Sequence, residues 1–409
     1  MTIPVYVAGV SMTPFGIHED KTVSGLTGWA VAEALADAGI SVDDVDAAFF
    51  GNTTQSALEG QYMVGGQIAL RAAGFDRIPM YNVENACASG ATAFNLAVTA
   101  VRAGEADIAL AVGVEKMNVG DKARSMAVFD GAYDVSAPER LEQFLADSGA
   151  PAADPGRRSI FMDIYGAWAR NHMERYGTTQ QQIATVASKN HNHSVHNERA
   201  HFRKPMTVSD VLDARALAFP ITVPMCAPVT DGGAAAIVGT AEALDALGVQ
   251  RRVEVLASVI GTGVPRAQSD YSAHLVRNAA LRAYEKSGVS PEDISVAEVH
   301  DATAFAEILV PELLGLCPEG EGGLLAESGA TTIGGRIPIN PSGGLESKGH
   351  PLAATGLGQI FELVTQLRGE SGVRQVDGAR IGLAENGGGF YEGEEAVCAI
   401  TILGQCQPS

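Results

Sequence analysis

Three reactive side chains in this chain stand beside segments able to position them for acyl transfer. They are Cys87 in Asn82-Val-Glu-Asn-Ala-Cys-Ala-Ser-Gly90, His300 in Glu298-Val-His-Asp-Ala-Thr303, and His350 in Ser342-Gly-Gly-Leu-Glu-Ser-Lys-Gly-His-Pro351. The run Arg77–Val83 reads as extended. Ala91–Arg102 reads as a helix ended by Gly104, with Phe94, Ala97, Val98 and Val101 on one apolar face. Cys87 is therefore expected at a strand-to-helix turn, where outward backbone N–H groups favour negative charge. Such a site lowers a thiol pKa from its free value of ~8.5 and so favours the nucleophilic thiolate. His300 closes a strand. His350 and Pro351 open a helix whose Ile360, Leu363, Val364 and Leu367 share a face, at a position where proline is tolerated. A fourth segment, Leu383-Ala-Glu-Asn-Gly-Gly-Gly389, ends a strand in three glycines that allow backbone N–H groups to approach a ligand. Each has a bland reading alone: an inert thiol, a hydrogen-bonded histidine, a turn. Together they supply nucleophile, base and oxyanion donor, the set that acyl transfer through a thioester requires.

The elements that must hold these residues repeat. Val5-Tyr-Val-Ala-Gly and Val253-Glu-Val-Leu-Ala both read as opening strands. Ala34–Val45 and Ala283–Ile294 share one pattern: a helix ending at Gly39 or Gly288, a serine, an acidic pair, then a strand. Ala106-Asp-Ile-Ala-Leu-Ala likewise matches Ala379-Arg-Ile-Gly-Leu-Ala. Matches in the same order predict two similar α/β halves with helix-covered sheets. The expected boundaries are 1–115 with 215–248 for the first half and 249–409 for the second. The polar excursion between, 116–214, is long enough to be a binding region. It contains a helix from Ser159 to Tyr176, with Ser159 as N-cap and Gly177 as stop.

Composition narrows the function. Of 409 residues, 46% are hydrophobic and 19% charged, an ordinary globular mix. The net charge of −20 argues against a nucleic-acid partner, though a phosphorylated ligand is admissible in a locally basic pocket. No apolar run reaches the ~20 residues of a membrane span. The first residues read as a strand, not a signal peptide. Five scattered cysteines with no CxxC pair predict neither disulfides nor a cysteine zinc site, and a cytoplasmic setting is the expectation. His191, His193, His196 and His201 lack a carboxylate or cysteine partner, and His191 and His193 would not share a helix face, so no metal site is expected.

Motifs along nearly the whole chain resemble the thiolase superfamily, and most nearly its branch of sterol-carrier-protein-type thiolases and acetyl-CoA acetyltransferases. They are Val7-Ala-Gly-Val-Ser-Met-Thr-Pro-Phe-Gly16, Asn85-Ala-Cys-Ala-Ser-Gly90, Thr230-Asp-Gly-Gly-Ala, His300-Asp, Gly343–Pro351 and Gly387-Gly-Gly389. The resemblance implies a thiolase fold: two βαβαβ-type halves in stacked helix and sheet layers, plus an inserted loop domain. It implies a thiolase-type acyltransferase that cleaves or forms a carbon–carbon bond in β-ketoacyl-CoA through an acyl-Cys87. His350 would activate the thiol, His300 would serve one oxyanion hole, and the N–H groups of Cys87 and Gly387 the other. Coenzyme A enters as substrate, with no tightly bound cofactor implied. Lys122, Arg124, Arg157, Arg158, Arg170, Lys189, Arg199, Arg203 and Lys204 are the cations available to it in the loop domain. A homodimer or dimer of dimers is implied, as is a small OB-fold, zinc-ribbon partner protein in this branch.

The chain departs from the pattern at the second cysteine, the family's acid/base. Two residues before the glycine triplet stands Glu385, and just after His300-Asp stands Ala302. A buried carboxylate can move protons, so Glu385 is a candidate replacement; the alternative is a structural hydrogen bond to backbone. The Cys-His-His set also resembles decarboxylating condensing enzymes, and retro-aldol lyases occur in neighbouring branches. The non-enzymatic alternative is an acyl-CoA-binding scaffold on the same fold.

Overall fold

The computed structural model describes residues 3–149 and 159–406. Its strands are β1 (Val5–Met12), β2 (Ala47–Gly51), β3 (Met80–Val83), β4 (Ile108–Glu115), β5 (Ala216–Ala218), β6 (Ile221–Thr222), β7 (Gly232–Thr240), β8 (Val253–Gly261), β9 (Val296–Glu298), β10 (Ile381–Gly388) and β11 (Val397–Gln405). Nine of them form one mixed sheet in the order β3-β2-β4-β7-β1-β8-β11-β10-β9, while β5 and β6 pair separately.

The sheet carries the duplication in its pairing. In the first half β1 runs antiparallel to β7, β7 antiparallel to β4, and β4, β2 and β3 run parallel. In the second half β8 is antiparallel to β11, β11 antiparallel to β10, and β10 parallel to β9, with a parallel bridge from Ala297 to Ile339 in the place of a fifth strand. Within the sheet the halves are joined by the pairing of β1 with β8, at Tyr6–Glu254 and Val7–Val253.

Local chemistry explains the repeat. Helix Val23–Ala38 ends at Gly39 with φ 72°, and helix Leu275–Ser287 at Gly288 with φ 70°, left-handed conformations that favour glycine. Ser41 and Asp44, and then Ser290 and Asp293, close the following turns: each aspartate accepts its serine's backbone N–H, at 2.8 and 2.9 Å. Strand β4, buried throughout, and β11, buried up to Gly404, are near-continuous apolar runs, as strands covered on both faces must be.

Helices Ser89–Ala103 and Leu352–Arg368 lie side by side and pack against strands of both halves, so the helix that follows Cys87 and the helix that follows His350 share one central layer. Helices Val23–Ala38 and Leu275–Ser287 cover the sheet elsewhere. Between β4 and β7 no strand among the described residues joins the large sheet. That stretch includes helix Ile160–Tyr176, where Ser159 Oγ accepts the Phe161 N–H at 3.2 Å and Gly177 ends the helix at φ 77°, and helix Gln180–His193. Both pack on the second half through Tyr165, Ala169, Ile183 and Ala187. Among the described residues no helix is long and apolar enough to cross a membrane.

Candidate active site

Cys87 occupies the turn between β3 and helix Ser89–Ala103. Ser89 fixes that turn twice: its Oγ accepts the Asn85 N–H at 2.8 Å and donates to the Ala86 carbonyl at 2.7 Å. Ala86 is held at φ 49°, a left-handed conformation unusual for a residue with a Cβ. Such local strain presents the next residue, Cys87, outward. The approach of the two central helices sets its distance from His350. A Cβ on Gly90 or Gly113 would lie 2.2 or 2.0 Å from the Ala353 carbonyl oxygen, so only glycine lets that helix start come so close.

His350 is held at both ends. Its N–H donates to Thr230 Oγ1 at 2.9 Å, and its Nδ1 lies 2.6 Å from Thr355 Oγ1. The Thr355 hydroxyl donates to the Pro351 carbonyl at 3.2 Å, which assigns the proton to His350 Nδ1 and leaves Nε2 bare. His300 Nε2 stands 3.5 Å from that Nε2. The ligand atoms of Cys87, His300 and His350 all lie within 4.8 Å of one another. Cys87 and two histidines more than two hundred positions further along the chain thus converge on one point.

The electrostatics differ from the sequence expectation for the thiol. Burial, with the Glu115 carboxylate second, pushes Cys87 up to about 12; only the N–H groups of Cys87 and Gly389, aimed at the sulfur, oppose the rise. The helix start does not prevail because desolvation of an anion outweighs it. Burial also lowers His300 to about 4 and takes His350 well below the ordinary imidazole range, with His300 and Lys348 adding to the fall. The resting pair is therefore a neutral thiol beside a neutral imidazole with a bare Nε2, able to accept the proton as sulfur attacks.

These groups lie in a cleft of ≈ 1210 Å³, lined otherwise largely by apolar side chains such as Met126, Phe129, Phe161, Met162, Val229 and Phe390. Ala302 also lines it. Glu385 does not: its carboxylate accepts the His300 N–H at 2.9 Å and the Cys398 thiol at 3.7 Å, behind the imidazole. Gly387 is paired with Cys398 in the β10–β11 ladder, and the glycine N–H aimed at Cys87 Sγ is that of Gly389. Counting back from the triplet misplaces both because β10 ends at the site rather than passing through it. Glu385 and Gly387 share a strand face, but Glu385 stands two residues, or ~6–7 Å, deeper in the sheet.

Of the loop-domain cations, Lys122 faces the cleft, joined by Arg215, which lies just outside the expected loop domain. Lys189 pairs with Glu307 at 2.5 Å and Arg199 with Glu33 at 3.1 Å; Arg170 and Arg124 donate to the Phe219 and Leu58 carbonyls at 2.8 and 2.7 Å. Arg203 and Lys204 are exposed, and Arg157 and Arg158 lie outside the described residues. His191 and His193 are engaged by protein groups, the Pro224 carbonyl and Ser347 for one, the Asn340 carbonyl and the Ile333 N–H for the other. Sequence reasoning passed over Gly389, Arg215 and Glu395, which also lines the cleft; only Gly389 had a signal, as the last of the triplet.

A duplicated sheet whose paired central helices bring one cysteine and two histidines together defines a class, and the chain belongs to the thiolase superfamily. Residues 5–219 match the family described as thiolase, N-terminal domain, and residues 262–403 the thiolase C-terminal domain-like family. The chain is 38% identical to sterol carrier protein 2 of Oryctolagus cuniculus over 93% of its own length and 69% of that protein's. It is 38% identical to the acetyl-CoA acetyltransferase of Methanothermobacter thermautotrophicus over 94% and 96% of the two chains. With the benzoylsuccinyl-CoA thiolase subunit BbsB of Thauera aromatica it shares 33% identity over 91% of each. The solved Ltp2-ChsH2(DUF35) aldolase has the same fold, with a TM-score of 0.80 over 98% of both chains at 23% identity.

Proposed function

We propose that this protein is a thiolase-type acyltransferase that cleaves or forms a carbon–carbon bond in β-ketoacyl-CoA through an acyl-Cys87. The observation that carries this reading is the convergence of Cys87, His300 and His350 within 4.8 Å in a large, mostly apolar cleft. In the cleavage direction His350 Nε2 takes the Cys87 proton as sulfur bonds to the β-carbonyl carbon. The bond between the α- and β-carbons then breaks, and its electron pair stays on the α-carbon, which takes up a proton. Free coenzyme A next attacks the acyl-Cys87, its thiol giving up a proton, and Cys87 leaves and recovers its own proton from His350. Synthesis is the reverse. The N–H groups of Cys87 and Gly389 would hold the thioester oxygen as it becomes an oxyanion, a contribution of roughly 3–4 kcal/mol per donor in comparable sites.

Coenzyme A is the proposed acyl carrier, with Lys122 and Arg215 as the cations facing the cleft. The apolar lining suits a bulky hydrocarbon acyl group. A homodimer, or a dimer of dimers, is part of the same reading: β3 is an edge strand, and Tyr62, Met63, Ile68 and Tyr81 near it are exposed. Light scattering reads the mass directly. A small partner protein is proposed too, since the aldolase of like fold is by its name an assembly with a DUF35 protein; co-purification tests it. Thiolysis of a β-ketoacyl-CoA panel, with Cys87→Ala as control, tests the reaction. Turnover that survives Cys87→Ala would overturn it.

A further inference from the structure

Two buried polar atoms beside the cleft have no hydrogen-bond partner, and they belong to neighbouring side chains: Nδ1 of His300 and Oε2 of Glu395. A Cβ built on Gly387 would lie 3.3 Å from His300 Nδ1, and 2.8 and 3.4 Å from Cγ and Cδ of Glu395. Both groups converge on one bare Cα. Glu395 comes from the turn between β10 and β11 and reaches back over β10 into the space that a side chain at Gly387 would fill. It also lines a second cavity of ≈ 250 Å³, with Arg175, Arg266, Tyr271 and His274, and so stands between the cleft and another opening.

We infer that Glu395 is the proton-relay partner of His300, exchanging a proton with Nδ1 across one bridging water, since no hydrogen bond joins the two side chains directly, while Nε2 exchanges one with the α-carbon of an acyl-CoA. This rests on the acyl-Cys87 reading above and names the group that does the work of the absent second cysteine. In cleavage, the electron pair left on the α-carbon takes the proton of His300 Nε2, and Nδ1 takes one from the Glu395 carboxyl, which becomes a carboxylate. The proton released by the coenzyme A thiol in the second half restores it. The imidazole ends neutral, so one proton has moved from carboxyl to carbon. Glu395 touches no reacting atom and is a positioning residue.

The groups that face Glu395 are Glu385 and Cys398 from β10 and β11, Glu394 beside it, Arg266 from the segment after β8, Tyr165 from helix Ile160–Tyr176, and His300. Burial lifts its carboxyl to about 7, opposed by its own backbone N–H, with Glu394 adding to the rise and Arg266 opposing it. Proton removal from the α-carbon needs the carboxylate form as acceptor, so it rises with pH through that value.

The test is incubation of wild type, Glu395→Gln and Glu395→Asp with acetyl-CoA in D₂O. It reads the acetyl adduct on Cys87 by mass spectrometry and deuterium entering the acetyl methyl group across about pH 5.5 to 8.5. The expected result is an adduct in all three proteins, exchange lowered at least about a hundredfold in Glu395→Gln with loss of the rising limb near pH 7, and partial recovery in Glu395→Asp. Exchange in Glu395→Gln within about threefold of wild type, with the limb intact, overturns the relay and leaves the acyl-enzyme standing. Absence of the adduct from every protein overturns both.

Discussion

The Glu385 carboxylate accepts the backbone N–H of His300 at 2.9 Å, and so supports the imidazole from behind instead of facing the substrate. Glu385→Gln keeps an acceptor there and is expected to retain thiolysis. Glu385→Ala strands a buried donor, at a cost of about 1–3 kcal/mol. Thermal melts and thiolysis rates for the pair separate the roles: a hundredfold loss of rate in the glutamine variant at unchanged stability would make Glu385 an acid/base after all.

A thiol raised to about 12 beside an imidazole lowered well below its usual range cannot rest as a thiolate–imidazolium pair. Alkylation of Cys87 by iodoacetamide, followed on its own peptide, should therefore climb about tenfold per pH unit between roughly pH 7 and 9. A plateau already reached at neutral pH would contradict the neutral pair.

Thr355 fixes the His350 tautomer through the 2.6 Å contact with Nδ1. Thr355→Val removes this hydrogen bond and the one to the Pro351 carbonyl; loss of the first, worth about 1–1.5 kcal/mol, should slow acylation about tenfold with KM little changed. A rise in KM with kcat intact would place Thr355 in binding instead.

Two glycines make opposite predictions. Gly113→Ala would press a Cβ to within 2.0 Å of the Ala353 oxygen, and is expected to destabilise by about 1–3 kcal/mol while displacing His350. Gly28 lies inside helix Val23–Ala38 with nothing within 4 Å of its added Cβ, so Gly28→Ala should stabilise by about 0.5–1 kcal/mol. Chemical denaturation measures both, and equal effects would refute the close-approach argument.

The duplication and the turn at Cys87 were legible because their signals are local. Gly39 with Ser41 and Gly288 with Ser290 punctuate the chain identically, and the apolar faces after Cys87 and His350 mark the two helices that prove to be neighbours. The pairing of β1 with β8 into one sheet had no local signal, since it depends on edges meeting in space. Glu385 was singled out by its distance from the glycine triplet, but that count does not say where β10 stops. Glu395 was hidden because its position depends on a turn folding back over Gly387, which no spacing encodes. The thiol's pKa was misjudged for a similar reason: the helix start is visible in sequence, and the burial that outweighs it is not.

The most direct test of the account is an acid quench after mixing the protein with acetyl-CoA, followed by peptide mass spectrometry. The prediction is an acetyl group on Cys87, absent in Cys87→Ala and much reduced in His350→Ala. Folded wild-type protein with no adduct on Cys87, or with the adduct instead on Cys226, the other thiol that lines the cleft, would contradict it.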